Sequence, residues 1–452
     1  MNQGLTIVPP PVVGEALRRL EARGFQAWCV GGCVRDSLLG KAPSDWDIAT
    51  SALPQETKAC FAGERLVEAG AAHGTIAWVS SGGHPIEITT FRSDGAYTDG
   101  RHPDSVAFSR RLEDDLSRRD FTVNAMAWHP QRGLVDLFHG QEDLSAGLLR
   151  CVGEPARRFS EDALRILRCL RFSSQLGFAI HPDTAQALWE KRELLLALSH
   201  ERVREELTKL LCGQGAAAVL RQYAAVVFTV LPELAPMKGC AQETPYHCFD
   251  VWEHTLHAVD YAPQQGDLRW AALLHDAGKP GRKTRSADGV AHFYGHPPES
   301  GRIARQLLTR LRFSNKERDW IAALVDHHED AMPMGEAHLK GLLGRYGERF
   351  VFTLFQLQEA DMSAKAPGVF ARRLPDLEES RALTRAILER GDCLTLGDMA
   401  LTGEDLKALG VAPGPEMGKL LRRLLEAVQR GEAANTPAAL GELAKRLLKR
   451  GL

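Results

Sequence analysis

Two aspartates one residue apart, Asp45 and Asp47, follow a glycine pair and an arginine in residues 31–47 (GGCVRDSLLGKAPSDWD). The order of residue types points to a chemistry. Gly31 and Gly32 carry no Cβ, so the backbone can turn there and approach a ligand closely. Amide N–H groups at the start of the following helix can hold phosphate oxygens, with Arg35 beside them. Side chains alternate along a strand. A strand over residues 44–50 therefore puts Asp45 and Asp47 on one face and Trp46 and Ile48 on the other. Two carboxylates on one face repel unless a cation sits between them. A divalent metal that also grips a triphosphate relieves the repulsion. Residues 27–30 read as the strand leading into the turn, and Gly40 as the residue closing the short helix.

Further along, Glu87 lies in the strand-like run 86–90 and supplies the third carboxylate that a two-metal transferase needs. Residues 161–172 (EDALRILRCLRF) read as a helix with Ser160 as its N-cap. Asp162, Arg165, Arg168 and Arg171 trace one slowly turning stripe, and Leu164, Ile166, Leu167 and Leu170 face a core. A rigidly held aspartate and arginine can hydrogen-bond the Watson–Crick edge of a base. The carboxylate accepts from an exocyclic amine, and the guanidinium donates to a ring nitrogen or carbonyl oxygen. Cytosine and adenine both carry that amine.

Together these stretches resemble the polymerase-beta-like nucleotidyltransferases, most closely the bacterial class II tRNA nucleotidyltransferase (CCA-adding) and poly(A) polymerase family. The resemblance runs from Phe25 to Phe178. It implies that Asp45 and Asp47 hold Mg²⁺ with Glu87 as the further catalytic carboxylate. It also implies that Gly32, Arg35 and Arg119 hold the triphosphate. Asp120 and Asn124, in the SRRDFTVNA segment, match positions that organise sugar and backbone. Asp162 and Arg165 match the base-selecting pair of an EDxxR helix, and Arg168 and Arg171 match phosphate contacts. Residues 94–103 (DGAYTDGRHP) match a loop kept by family members that add the terminal A.

A second set of residues suits metal. His254, His275-Asp276, His292, His296, His327-His328 and Asp361 are spread over helical segments. They resemble the HD phosphohydrolase superfamily. The resemblance implies a second divalent ion (Mn, Ni, Co, Fe or Mg) held by His254, His275, Asp276, His296 and Asp361. His327 or His328 would contribute, Asp326 is a rival to Asp361, and Lys279 would steady a phosphate. The alternative is a scaffold that has lost its metal.

The whole chain bounds these readings. Its 452 residues suffice for several domains, and 44% hydrophobic with 25% charged residues is ordinary for a water-soluble protein. No apolar run of 18 residues occurs, no secretory signal opens the chain, and nine cysteines lack paired spacing, so a cytoplasmic protein without membrane contact is expected. Net charge is −2, so RNA contact must come from local basic patches in 150–209, 302–318 and 419–450.

The expected fold class is α+β: a small α/β nucleotidyltransferase head followed by all-α neck, body/HD and tail domains. The boundaries are 1–150 for the head and 151–235 for the neck, then 236–365 for the HD-like part and 366–452 for a tRNA-binding tail. The expected function is template-independent addition of CCA to tRNA from CTP and ATP, with no DNA partner. The alternatives are an A-adding specialist, a poly(A) polymerase, a metal-dependent phosphohydrolase with an RNA-binding head, and a non-catalytic RNA-binding module.

Overall fold

The computed structural model describes residues 7–80, 82–83, 85–94 and 106–449. The chain divides into two compact units, residues 1–232 and 233–452.

The first unit begins as a mixed α/β layer. Its strands are β1 (Ala27–Val30), β2 (Asp47–Thr50), β3 (Arg65–Val67), β4 (Thr75–Val79), β5 (Pro85–Thr90), β6 (Arg92–Asp94), β7 (Val106–Phe108), β8 (Met126–His129) and β9 (Gly133–Asp136). Seven of them form one sheet in the order β3-β4-β5-β2-β1-β8-β9, while β6 and β7 pair as a separate ribbon. Strand β1 (AWCV) is buried along its whole length, as expected for a central strand covered on both faces. It runs antiparallel to β2, and β2 runs parallel to β5. The terminal-A loop expected at 94–103 falls, from residue 95 onward, outside the described residues.

Two local expectations are corrected. The strand expected from Ser44 starts at Asp47. The physical reason is its neighbour: β1 ends at Val30, opposite Asp47, so Ser44, Asp45 and Trp46 have no ladder partner. The helix expected from Glu161 is two helices, Pro155–Glu161 and Leu164–Leu176. Ser160 lies inside the first, where its hydroxyl donates to the Ala156 carbonyl at 2.9 Å, and it caps nothing. Pro155, with its preset φ, starts that helix. Asp162 is extended (φ −140°, ψ 104°) and its Oδ1 accepts the Leu164 N–H at 3.0 Å, which breaks one helix and starts the next.

Among its described residues, the second unit is helical apart from a pair of two-residue strands, Thr284–Arg285 and Ala291–His292. Asp250 caps the helix Val251–Tyr261 by accepting the Glu253 N–H at 2.7 Å, and Ser314 with Glu317 forms a reciprocal cap on Asn315–His327. Trp270 is fully buried, edge-on to Phe313 at 5.5 Å. Toward the C-terminus, Leu406, Leu420, Leu424 and Leu440 share a smaller core. Among the described residues, no helix is long and apolar enough to cross a membrane.

Candidate active site and a buried histidine–aspartate cluster

The edge where β1 and β2 open holds the first site. Gly31 follows β1 at φ +77°, a conformation that favours glycine, and a Cβ there would stand 2.9 Å from Arg119 Nη1. The helix Gly32–Leu38 starts at once and ends against Gly40 at φ +71°. Its Arg35 is buried, donates from Nη1 to Asn124 Oδ1 at 2.7 Å, and lies over the Phe172 ring at 5.1 Å.

Asp47 faces Glu87 in register across the parallel β2–β5 pair. Burial, then the Glu87 carboxylate, push the Asp47 carboxyl up to about 6 despite the pull of Arg119. Asp45 sits in the preceding exposed turn, with the Ser44 hydroxyl donating to it at 3.0 Å. In this corner of the cleft Asp45, Asp47 and Glu87 crowd one another, which is the condition a divalent cation relieves.

Opposite stands an arginine wall. Buried Asp115 accepts from both Arg118 (2.6 Å) and Arg119 (3.0 Å), leaving Arg119 Nη1 on the Gly31 side. Asp120 accepts from Arg168 at 2.5 Å and from the Asn124 amide at 3.1 Å. Burial alone would raise the Asp120 carboxyl, but the Arg168 charge and these hydrogen bonds hold it at about 2. Arg171 donates to Glu206 at 2.6 Å and lies 4.0 Å from the centre of the Phe172 ring.

Asp162 and Arg165 close the far side. Arg165 is anchored by Glu161 (2.8 Å) and by the Arg118 carbonyl (2.9 Å). Asp162 Oδ2 lies 3.5 Å from Arg202 of the helix His200–Leu211. One cavity of about 980 Å³ is lined by Asp45, Asp47 and all nine expected nucleotide residues: Gly32, Arg35, Arg119, Asp120, Asn124, Asp162, Arg165, Arg168 and Arg171. Glu87 is not in its lining and reaches the site through Asp47.

Sequence reasoning missed Asp115 and Arg202. Asp115 had a signal, since it precedes Arg118 and Arg119 at helical spacing. Arg202 had none, because it arrives from a separate helix.

In the second unit, His254, His275, Asp276, His296, His328 and Asp361 are buried together. His254 Nε2 lies 3.0 Å from Asp361 Oδ1 and 3.5 Å from Asp276 Oδ2. His275 Nε2 is 3.3 Å from that same Asp276 oxygen, and His296 Nε2 is 3.2 Å from the other. Asp276 thus stands between two imidazole groups, as a bridging ligand would. Lys279 and Lys365 each place an ammonium 2.7 Å from Asp276 and Asp361, respectively. These cations balance the buried carboxylates from within the chain. His328, not His327, joins the cluster. His292 stacks on Tyr294 on an outer strand, and Asp326 pairs with Arg305 instead of entering.

Comparison with known proteins agrees with the geometry of the first site. The poly A polymerase head domain matches residues 27–150, the probable RNA and SrmB-binding site of polymerase A matches 177–237, and the tRNA nucleotidyltransferase domain 2 (putative) matches 298–444. A CCA-adding enzyme of Lactobacillus delbrueckii subsp. bulgaricus is 35% identical over 429 residues, covering 94% of this chain and 95% of its own. One from Levilactobacillus brevis is 36% identical over 425 residues, covering 94% of each chain. The crystal structure of the Bacillus stearothermophilus CCA-adding enzyme in complex with CTP superposes with a TM-score of 0.75 at 31% identity, covering 98% of this chain and all of that one. A Thermotoga maritima CCA-adding enzyme complexed with tRNA, 21% identical with a TM-score of 0.55, shares the fold. With its paired aspartates, arginine wall and EDxxR segment around one cleft, and with relatives matching it over nearly its whole length, this chain belongs to the CCA-adding enzyme family.

Proposed function

We propose that this protein adds C, C and A in turn to the 3′ end of tRNA, taking CTP and ATP and using no nucleic-acid template. The observation that carries this reading is the single cleft in which Asp45 and Asp47 face Arg119 while Asp162 and Arg165 line the same space. The residues fit a divalent ion. Asp47 is crowded by Glu87 and Asp45, and no lysine or arginine pairs with either Asp45 or Asp47 within salt-bridge distance among the described residues. Asp45 and Asp47 would hold Mg²⁺, which would supply charge neutralisation for the triphosphate and a lowered pKa for the 3′-hydroxyl.

The chain's own groups do the positioning. Arg119, held by Asp115, and Arg35, held by Asn124, present guanidinium charge to the triphosphate. Asp162 accepts from the exocyclic amine common to cytosine and adenine, and Arg165 donates to the adjacent ring position. Because Arg165 is anchored to Glu161 and the Arg118 carbonyl, the base meets a preset edge. Residues 1–150 act as the catalytic head, 151–235 as the neck, 236–365 as the HD-like part and 366–452 as the tRNA-binding tail. Addition of A alone, or of an A tract, would use the same cleft.

A second reading concerns the buried cluster. Its two aspartates and four histidines suit a first-row divalent ion, and a phosphohydrolase activity there would be separate from nucleotide addition.

The test of the main reading is Asp47→Ala. Incorporation of CMP into a tRNA lacking its last three nucleotides should fall below detection, with tRNA affinity within about twofold of wild type. Parallel loss of tRNA binding would remove the metal role from Asp47.

A further inference from the structure

His327 stands next to His328 in sequence but turns away from the buried cluster. It ends the helix Asn315–His327, Asp330 follows three residues later, and His338 lies on the helix Glu336–Tyr346. Their ligand atoms converge. His327 Nδ1 is 2.8 Å and His338 Nε2 is 2.7 Å from the same oxygen, Asp330 Oδ2.

We propose that His327, Asp330 and His338 form a metal site for a divalent transition ion of the Zn²⁺ class, distinct from both sites described above. Two imidazoles and one carboxylate are a donor set for Zn²⁺, Co²⁺ or Ni²⁺ and a poor one for Mg²⁺. Adjacent ligands around a tetrahedral ion with bonds of about 2.1 Å stand roughly 3.4 Å apart, so seating the ion moves each histidine nitrogen out from Asp330 by roughly 0.6 Å and exchanges its hydrogen bond to the carboxylate for a bond to the ion. The His327 ring is oriented by edge-on packing against Tyr346 at 5.7 Å and Phe350 at 6.1 Å, so one donor is fixed in advance. His327 and His338 line a cavity of about 470 Å³, which gives an ion a path in and leaves room for water as a further ligand. The bound ion would tie the end of Asn315–His327 to Glu336–Tyr346.

Full-length, tag-free protein stripped with chelator would be titrated with Zn²⁺ against a chromophoric chelator, and with Co²⁺ while its visible absorption is recorded. The background is Asp276→Asn, which removes the carboxylate shared by both ligand groups of the buried cluster. Adding His338→Ala should lower Zn²⁺ stoichiometry by one ion per chain and remove a Co²⁺ absorption band. It should also abolish a Zn²⁺-induced rise in Tm. The His338 side chain is about half exposed, so its truncation leaves the core intact, and Asp330→Asn with unchanged volume should reproduce the result. Unchanged stoichiometry and spectrum in both variants would overturn the assignment.

Discussion

Asp47 carries the largest share of the residue-scale account. In the metal-free cleft its carboxyl takes up a proton near pH 6, raised by burial and then by Glu87. The metal needs the ionised form, so protons compete below that pH and not above it. The Mg²⁺ concentration for half-maximal addition should be flat from pH 8 to 7 and rise about tenfold per unit below 6. A requirement constant from pH 8 to 5 would contradict this. Base choice is the second residue-scale test. Asp162→Ala should narrow the preference for CTP and ATP over UTP and GTP by at least about tenfold, the equivalent of one charged hydrogen bond of roughly 1.4 kcal/mol. An unchanged ranking would remove Asp162 from base selection. At this scale the sequence was informative where one short segment carries several functional groups. Gly31 to Asp47 and Arg119 to Asn124 each do so. Arg202 was invisible, because its place beside Asp162 is made by a helix 40 residues away.

At the scale of elements, one buried charge pair ties the sheet of the first unit to its helices. Asp120 joins the turn before β8 to Arg168 on Leu164–Leu176. Its carboxyl is held at about 2, below the unfolded value of about 3.9, so the pair's stabilisation is present above pH 4 and lost as pH falls through 2. Asp120→Asn should cost roughly 2 kcal/mol at pH 7, moderated because about a third of Arg168 is open to the cleft. Urea denaturation of the full chain at pH 7 measures this, and an effect under about 0.5 kcal/mol would contradict it. Strands β4 and β5 were legible because their apolar residues alternate. The break at Asp162 was not, because the apolar periodicity from Phe159 to Leu170 runs on through it. A side-chain hydrogen bond to Leu164 overrides the pattern.

Across the whole molecule, net charge of −2 means that the proposed tRNA substrate would have to be held by local basic patches. Affinity for tRNA should fall at least about tenfold between 50 and 200 mM salt, with the slope reporting the number of phosphate contacts. Filter binding across that range measures it, and a salt-independent affinity would contradict phosphate-led binding. The α+β class and the shift from sheet to helix near residue 150 could be read from composition and periodicity.

The most direct measurement is a primer-extension gel with wild-type protein and Mg²⁺. One tRNA transcript lacks its last three nucleotides and a second ends in CC, each incubated with CTP, ATP or both. The account predicts two additions with CTP alone, three and then a stop with both nucleotides, and one on the CC-ended tRNA with ATP. Extension of only the CC-ended transcript, or a long ladder of A, would contradict CCA addition by this chain.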